Sequence, residues 1–253
     1  YETGDYDRNL AEKFDVLLKK NGLNYTLSDI LPKVVSAGEY AGKLTEKGAE
    51  LIGNKLKVGT PFAAPEGDAG TGMVATNSVN KNTGNVSAGT SVFAMIVLAQ
   101  PLKKLHTEID MVTTPDGSAV AMVHCNNCTN DLNVWVKMFG EIVEAFGTEV
   151  DTAKLYSTLF NKALEAEADC SNIISYNYMA GEVITGLNEG APLVFRKPDS
   201  NMSLANFMRS LLYGTMATLK LGMDILSEEG VEVSHLLGHG GLFKNKGVCD
   251  KFM

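Results

Sequence analysis

Apolar residues recur at helical spacing in residues 7–20, where Leu10, Phe14, Leu17 and Leu18 share one stripe and Asn21-Gly22 supplies a stop. A second short helix is predicted over residues 45–53, with Thr45 as its N-cap. Between the two, Pro32 holds residues 31–35 extended. Residues 57–64 read as a buried strand, residues 69–78 as a helix and residues 80–84 as a turn. Alternation over residues 85–98 predicts one or two strands. A hairpin follows, with strands over 109–114 and 119–124 joined through Pro115-Asp116-Gly117, because Asp-Gly between alternating runs favours a tight reversal. Residues 129–146 place Leu132, Trp135, Val136, Phe139, Ile142, Val143 and Phe146 on one helical face. Another helix is predicted over 151–166, with Leu155, Leu159 and Ala163 inside, and residues 172–199 are irregular. The longest helix runs from Ser203 to about residue 227, followed by a strand over 232–237 and the run Gly238-His239-Gly240-Gly241. A hairpin followed by helix–strand alternation predicts an α/β fold with a mixed sheet flanked by helices.

Composition narrows the function classes. The 253 residues carry a formal net charge of -8 with no basic block, which argues against nonspecific binding to nucleic acid or an anionic membrane. No apolar run approaches the ~18 residues that a membrane span needs. There is no secretory signal pattern. Four scattered cysteines, Cys125, Cys128, Cys170 and Cys249, do not make a disulfide scaffold, so a cytoplasmic location is expected. The chain opens on Tyr1 and stops at Phe252-Met253, inside a predicted helix, and so reads as a fragment of a longer protein.

The candidate chemistry concentrates in residues 58–93. Pro65-Glu66-Gly67-Asp68-Ala69-Gly70-Thr71-Gly72 holds a carboxylate in a tight loop at a helix start. An aspartate beside glycines is ordinarily a turn or cap residue. With small neighbours it can also reach a substrate hydroxyl as a general base. The second turn, Gly84-Asn85-Val86-Ser87-Ala88-Gly89-Thr90-Ser91, breaks a strand among small residues, where convergent backbone N–H groups can cradle phosphate oxygens. Gly238-His239-Gly240-Gly241 lies after a strand, where α/β proteins hold nucleotides, although its spacing matches neither the Rossmann nor the P-loop pattern. In His124-Cys125-Asn126-Asn127-Cys128, the C-x-x-C has no second pair to complete a zinc set. That segment is therefore read as a strand end leading to a helix capped by Thr129, with its asparagines available for hydrogen bonds near a cleft. His106, His235 and the acidic pairs Glu165/Glu167 and Glu228/Glu229 are read as ordinary packing or solvated residues.

Taken together, these stretches resemble the FGGY carbohydrate kinase family over most of the chain. Gly59-Thr60-Pro61 with the following Glu66–Gly72 loop is similar to the family's G-T-P and G-G-D-x-x-A-G, whose aspartate is the catalytic base, so the resemblance gives that role to Asp68. GNVSAGTS is similar to the strand and turn contacting the ATP phosphates, which implies Gly89 and Thr90. YNYMAGE at Tyr176–Glu182 is similar to P-Y-x-x-G-E-R without its proline and arginine. LLGHGGLFKN is similar to the adenosine loop and implies Gly240, Gly241 and Asn245, with Lys244 beside them. The family's amino-terminal D-x-G-T motif is absent. The resemblance implies the actin-like ATPase, ribonuclease-H-like fold, comprising most of the C-terminal domain plus the tail of the N-terminal domain. Residues 1–80 would end the sugar-binding domain with its base loop, and 81–253 would form a truncated nucleotide-binding domain. The implied activity is transfer of the γ-phosphate of ATP to a sugar hydroxyl, most nearly that of a ketopentose such as xylulose. The cofactors would be ATP and Mg²⁺, with no protein-held metal site, no nucleic-acid or membrane partner, and a homodimer as the assembly. The alternative is a non-catalytic nucleotide- and sugar-binding regulatory protein of the same fold.

Overall fold

A computed structural model describes residues 3–252, and the chain divides into two units. The first comprises residues 1–71 and 113–119. Its helix α1 (Arg8–Lys20) starts at Asp7, whose side chain accepts the Leu10 N–H, and closes at Asn21 as predicted. Leu18 is buried, whereas Leu10, Phe14 and Leu17 are exposed, so most of the predicted apolar stripe does not face a core within the described residues. Helix α2 (Leu27–Ile30) was not predicted; a four-residue helix carries too little periodicity to register, and a capping box between Thr26 and Asp29 holds it. Strand β1 (Tyr40–Lys43) pairs antiparallel with β2 (Pro61–Ala63), flanking α3 (Glu46–Leu51), which Thr45 caps at the Gly48 N–H. The buried strand expected over residues 57–64 is a three-residue, exposed ribbon strand. Its apolar composition is matched by a single neighbouring strand rather than by a covered sheet.

Helix α4 (Asp68–Ala75) passes from the first unit into the second. The second unit is built on a five-stranded sheet in the order β5 (Asp110–Thr113), β6 (Ala119–Cys125), β4 (Val92–Val97), β3 (Thr83–Ala88) and β9 (His235–His239). The expected alternation over residues 85–98 resolves into the antiparallel pair β3 and β4. Beyond β4 lie β6 and β5, joined by the predicted Asp-Gly turn. On the other side β9 runs parallel to β3, which makes the sheet mixed as expected. The strand expected over 232–237 is thus displaced toward the carboxyl end. Ser234 is anchored by its N–H and hydroxyl to the Asn82 carbonyl, and pairing proper begins one residue later.

Helices cover both faces. Helix α7 (Leu204–Glu228), for which Ser203, read as its first residue, is the N-cap, lays Gly222 against Val123 of β6 so closely that a Cβ there would overlap the valine. Val123, Ala94 and Val86 sit in register across three strands and face α7. The opposite row contains Asn85 and His239, and α4 covers it with Gly72. Met95, Ile96, Val97, Leu132, Met208 and Leu211 complete the core. Helix α5 (Thr129–Ala145) buries Leu132 and Val136 but leaves Ile142 and Phe146 exposed. The predicted face is therefore buried only over its first turns. Helix α6 (Thr152–Lys162) ends in a 3-10 turn, and carbonyls of that turn and of the residues just after it meet the buried Arg209: Nε donates to Ala163 at 3.1 Å and Nη1 to Glu167 at 2.9 Å. A guanidinium at a helix's carboxyl end satisfies carbonyls that the helix leaves open. The irregular segment contains a two-stranded ribbon, β7 (Ile174–Tyr176) with β8 (Leu193–Phe195).

Candidate active site

Asp68 is the first residue of α4 and is exposed. Its Oδ1 accepts the Ala69 N–H at 2.9 Å, and the Thr71 hydroxyl donates back to the carbonyls of Gly67 and Asp68. Glu66 folds under the helix start, where its Oε1 takes the Gly67 N–H at 2.7 Å; a Cβ on Gly70 would stand 2.6 Å from that carboxyl group. The loop is thus held by its own side chains, and the Asp68 carboxylate keeps one oxygen outside them.

The second unit brings Gly89, Thr90, Gly240 and Gly241 to one end of its sheet. Strands β3 and β9 are parallel neighbours with Ser87 opposite His239, so both chains leave the sheet side by side at their carboxyl ends. Open α/β sheets bind ligands in the crevice at such ends. Residues 89–91 reverse the chain tightly, with the Gly89 N–H donating to the Ser91 carbonyl at 2.9 Å. Helix α5 starts directly against this turn. The Cys128 N–H donates to the Thr90 carbonyl at 3.0 Å, while the Thr129 N–H and hydroxyl donate to the Gly89 carbonyl at 3.1 and 2.7 Å. Both turn carbonyls are thereby engaged by protein, and Gly89 and Thr90 remain exposed beside the positive end of a 17-residue helix. Cys128, rather than Thr129, is the N-cap residue; the Thr129 hydroxyl crosses to the neighbouring turn instead of capping its own helix.

Gly240 has φ 106°, and a Cβ there would overlap the Ala88 carbonyl oxygen and approach the Ala88 nitrogen and carbonyl carbon at 3.0 Å. A side chain is excluded on two independent grounds. Gly241, with φ -61°, has open space around it. Lys244 closes the following 3-10 turn, and Asn245 stands at the head of α8 (Lys246–Phe252), its carbonyl accepting the N–H groups of Val248 and Cys249. Beneath the loop, Asn85 Nδ2 and His239 Nε2 are 3.2 Å apart; Asn85 is wholly buried, and its Oδ1 has no partner among the described residues. A glycine loop closed to a side chain at Gly240, an engaged turn and a helix start could hold the phosphates of a nucleotide.

The asparagines of His124–Cys128 hydrogen-bond as expected. Asn126 Nδ2 donates to the Gly181 carbonyl at 2.9 Å, and Asn127 binds Ala180 and Glu182. Cys125 and Cys128 are fully buried, and burial pushes both thiols up to about 12. A thiolate is disfavoured at either, which is the reverse of what metal or redox chemistry requires. No group of three or more His, Cys, Asp or Glu side chains is placed to hold a metal ion among the described residues. Glu229 is a correction: instead of a solvated helix end it is buried, accepting His106 Nε2 at 2.9 Å and the Lys103 N–H at 2.6 Å. His106 is its partner, in keeping with the packing role read for it. Thr129 and Glu182 were not singled out for the turn, since nothing in their spacing relates them to Gly89 at distances of 40 and 93 residues.

The family FGGY of carbohydrate kinases, C-terminal domain, matches residues 84–250. The chain belongs to the FGGY family of carbohydrate kinases. Among curated proteins it is 21% identical over 215 residues to xylulose kinase of Haemophilus influenzae, covering 85% of this chain and 41% of that one. Among solved structures it resembles xylulose kinase from Rhodospirillum rubrum with a TM-score of 0.76 at 15% identity, covering 99% of this chain and 46% of that one. Gluconate kinase from Lactobacillus acidophilus gives 0.69 at 15% identity, with 92% and 44% covered. The chain therefore spans less than half the length of these relatives. The fold is the actin-like ATPase, ribonuclease-H-like fold, as the sequence resemblance implied. No described helix is long and apolar enough to cross a membrane.

Proposed function

We propose that the complete protein transfers the γ-phosphate of ATP to a sugar hydroxyl, with a ketopentose such as xylulose as the first candidate. The observation that carries this reading is the meeting of the Gly89-Thr90 turn and the Gly240-Gly241 loop at adjacent parallel strand ends. Xylulose is favoured by the names of the relatives, while the gluconate kinase likeness keeps other sugars in the test. Residues 1–80 are assigned to the end of a sugar-binding domain and 81–253 to the nucleotide-binding domain.

Phosphoryl transfer asks mainly for positioning and charge stabilisation. The Gly89-Thr90 turn, backed by the start of α5, binds phosphate oxygens. Gly240 and Gly241 give the nucleotide a wall without side chains, and Lys244 and Asn245 follow at its margin. Asp68 orients the acceptor hydroxyl and takes its proton as the hydroxyl oxygen attacks phosphorus. Mg²⁺, when bound, supplies charge neutralisation on the phosphate oxygens.

The test is coupled ADP release by the complete gene product with Mg-ATP against pentuloses, hexuloses, polyols and aldonates. Sugar-dependent turnover supports the kinase and names its substrate. Nucleotide binding without turnover on any sugar would replace it with a regulatory protein.

A further inference from the structure

We propose that Glu182 is a positioning residue for the phosphate turn, acting through Asn127 on the first residues of α5. This rests on the nucleotide reading of the Gly89-Thr90 turn. Glu182 is 1% exposed and reaches the strand end after β6 from a distant loop. Its Oε2 accepts the Asn127 N–H at 3.2 Å and Asn127 Nδ2 at 3.0 Å. The Asn127 side chain is saturated around it, since Nδ2 also donates to the Ala180 carbonyl and Oδ1 accepts the Ala180 N–H. Asn177 Nδ2 donates to the Cys128 carbonyl at 2.9 Å and fixes the next peptide from the same side. The Cys128 and Thr129 N–H groups are the donors that engage the carbonyls of Thr90 and Gly89. The buried carboxylate is thus joined to both residues of the turn by hydrogen bonds at either end of three consecutive backbone residues, 127–129.

The loop that delivers Glu182 is built to hold still. Glu182 and Leu187 exchange both backbone bonds, at 2.7 and 3.0 Å. Glycines let its two limbs touch backbone to backbone: a Cβ on Gly181 would lie 2.5 Å from the Asn188 carbonyl oxygen, and one on Gly190 would meet the Ala180 nitrogen at 2.5 Å. Glu182 Oε1 has no partner among the described residues. A buried acceptor left unsatisfied is costly, and a neutral apolar side chain would fill the same space without that cost. The carboxylate's evident return is the pair of donors it orders at Asn127. Two groups bonded to one carboxylate oxygen cannot shift independently, so the start of α5, and the turn seated on it, inherit the position of the rigid loop.

The test separates phosphate from nucleoside. The complete gene product, its Glu182→Gln variant and its Asn127→Asp variant are titrated calorimetrically with ADP and with adenosine. Amide exchange is followed at Cys128 and Thr129. Glu182→Gln keeps the volume and removes the charge, and is expected to weaken ADP by about tenfold, with adenosine unchanged and faster exchange at both amides. Asn127→Asp faces Glu182 with a like charge and is expected to do the same more strongly. Should that variant fail to fold, Thr129→Val, which deletes only the hydroxyl bond to Gly89, must reproduce the pattern in smaller measure. Equal losses for ADP and adenosine would overturn the proposal, as would unchanged ADP affinity. A parent chain that binds neither ligand would overturn the nucleotide reading as well, and would show it before any substitution is made.

Discussion

Gly240 and Gly241 stand side by side in the loop after β9, yet the structure predicts opposite consequences for the same added methyl group. At Gly240 an alanine must adopt φ 106° and place its Cβ against the Ala88 backbone. Left-handed backbone costs an L-residue roughly 1–2 kcal/mol. Overpacking against a strand's backbone, which has no alternative rotamer, adds about 1–3 kcal/mol. The loss of unfolded-state freedom on going from glycine to alanine returns about 0.4–1 kcal/mol. Gly240→Ala is therefore expected to destabilise the second unit by about 1–4.6 kcal/mol, or to push the loop away from Ala88 and weaken ADP instead. At Gly241, φ -61° is ordinary and nothing stands near the added carbon, so only the stabilising entropic part remains. Urea unfolding with a slope of about 1–3 kcal/mol per molar places the Gly240→Ala midpoint roughly 1 M below the parent, and Gly241→Ala at or slightly above it. ADP titration of the two variants should rank them the same way. Equal midpoints and equal ADP affinities would refute both the steric reasoning and the loop geometry beneath it.

Two further outcomes follow from burial. Cys125 and Cys128, pushed up to about 12, and Cys170, pushed to about 11 by burial, should resist a disulfide reagent at pH 8 in the native protein and react together in urea; fast native labelling at Cys125 would contradict their placement. The hydrogen bonds from His106 and the Lys103 N–H hold the Glu229 carboxyl below its ordinary value of 4.5, so its contribution is present above that pH and is lost as the pH falls through the lower folded value. Glu229→Gln should accordingly lower the melting temperature at neutral pH and converge on the parent in acid, and a pH-independent difference would contradict the pairing.

What was legible in the sequence follows the range of the physics involved. Helices α5 and α7, the β3–β4 pair and the β5–β6 hairpin were readable because periodicity, caps and Asp-Gly act within a few residues. The short elements α2, β1, β7 and β8 carry too few residues for a period; α2 is held by its capping box, and the three strands by pairing with partners distant in sequence. The same distinction governs the site. Asp68, Gly89 and Gly240 were marked by local glycine chemistry, and the parallel register of β3 with β9 then brought the latter two together. Glu182, Asn127 and Thr129 act on the turn through contacts 40 to 55 residues apart in sequence, which no spacing records. Burial was the least legible property. Leu10, Phe14, Ile142 and Phe146 have the right period for a core face, but period alone does not say what lies opposite.

The most direct measurement is the steady-state rate of sugar-dependent ADP formation by the complete gene product and its Asp68→Asn variant, with Mg-ATP and the best acceptor sugar. The substitution keeps the size of an exposed side chain, so folding and the KM for ATP should be unchanged. General-base catalysis is worth about 10²–10⁴-fold, and kcat should fall by that amount. A variant that turns over within a few-fold of the parent would remove Asp68 as the base and, with it, the proposed course of the reaction.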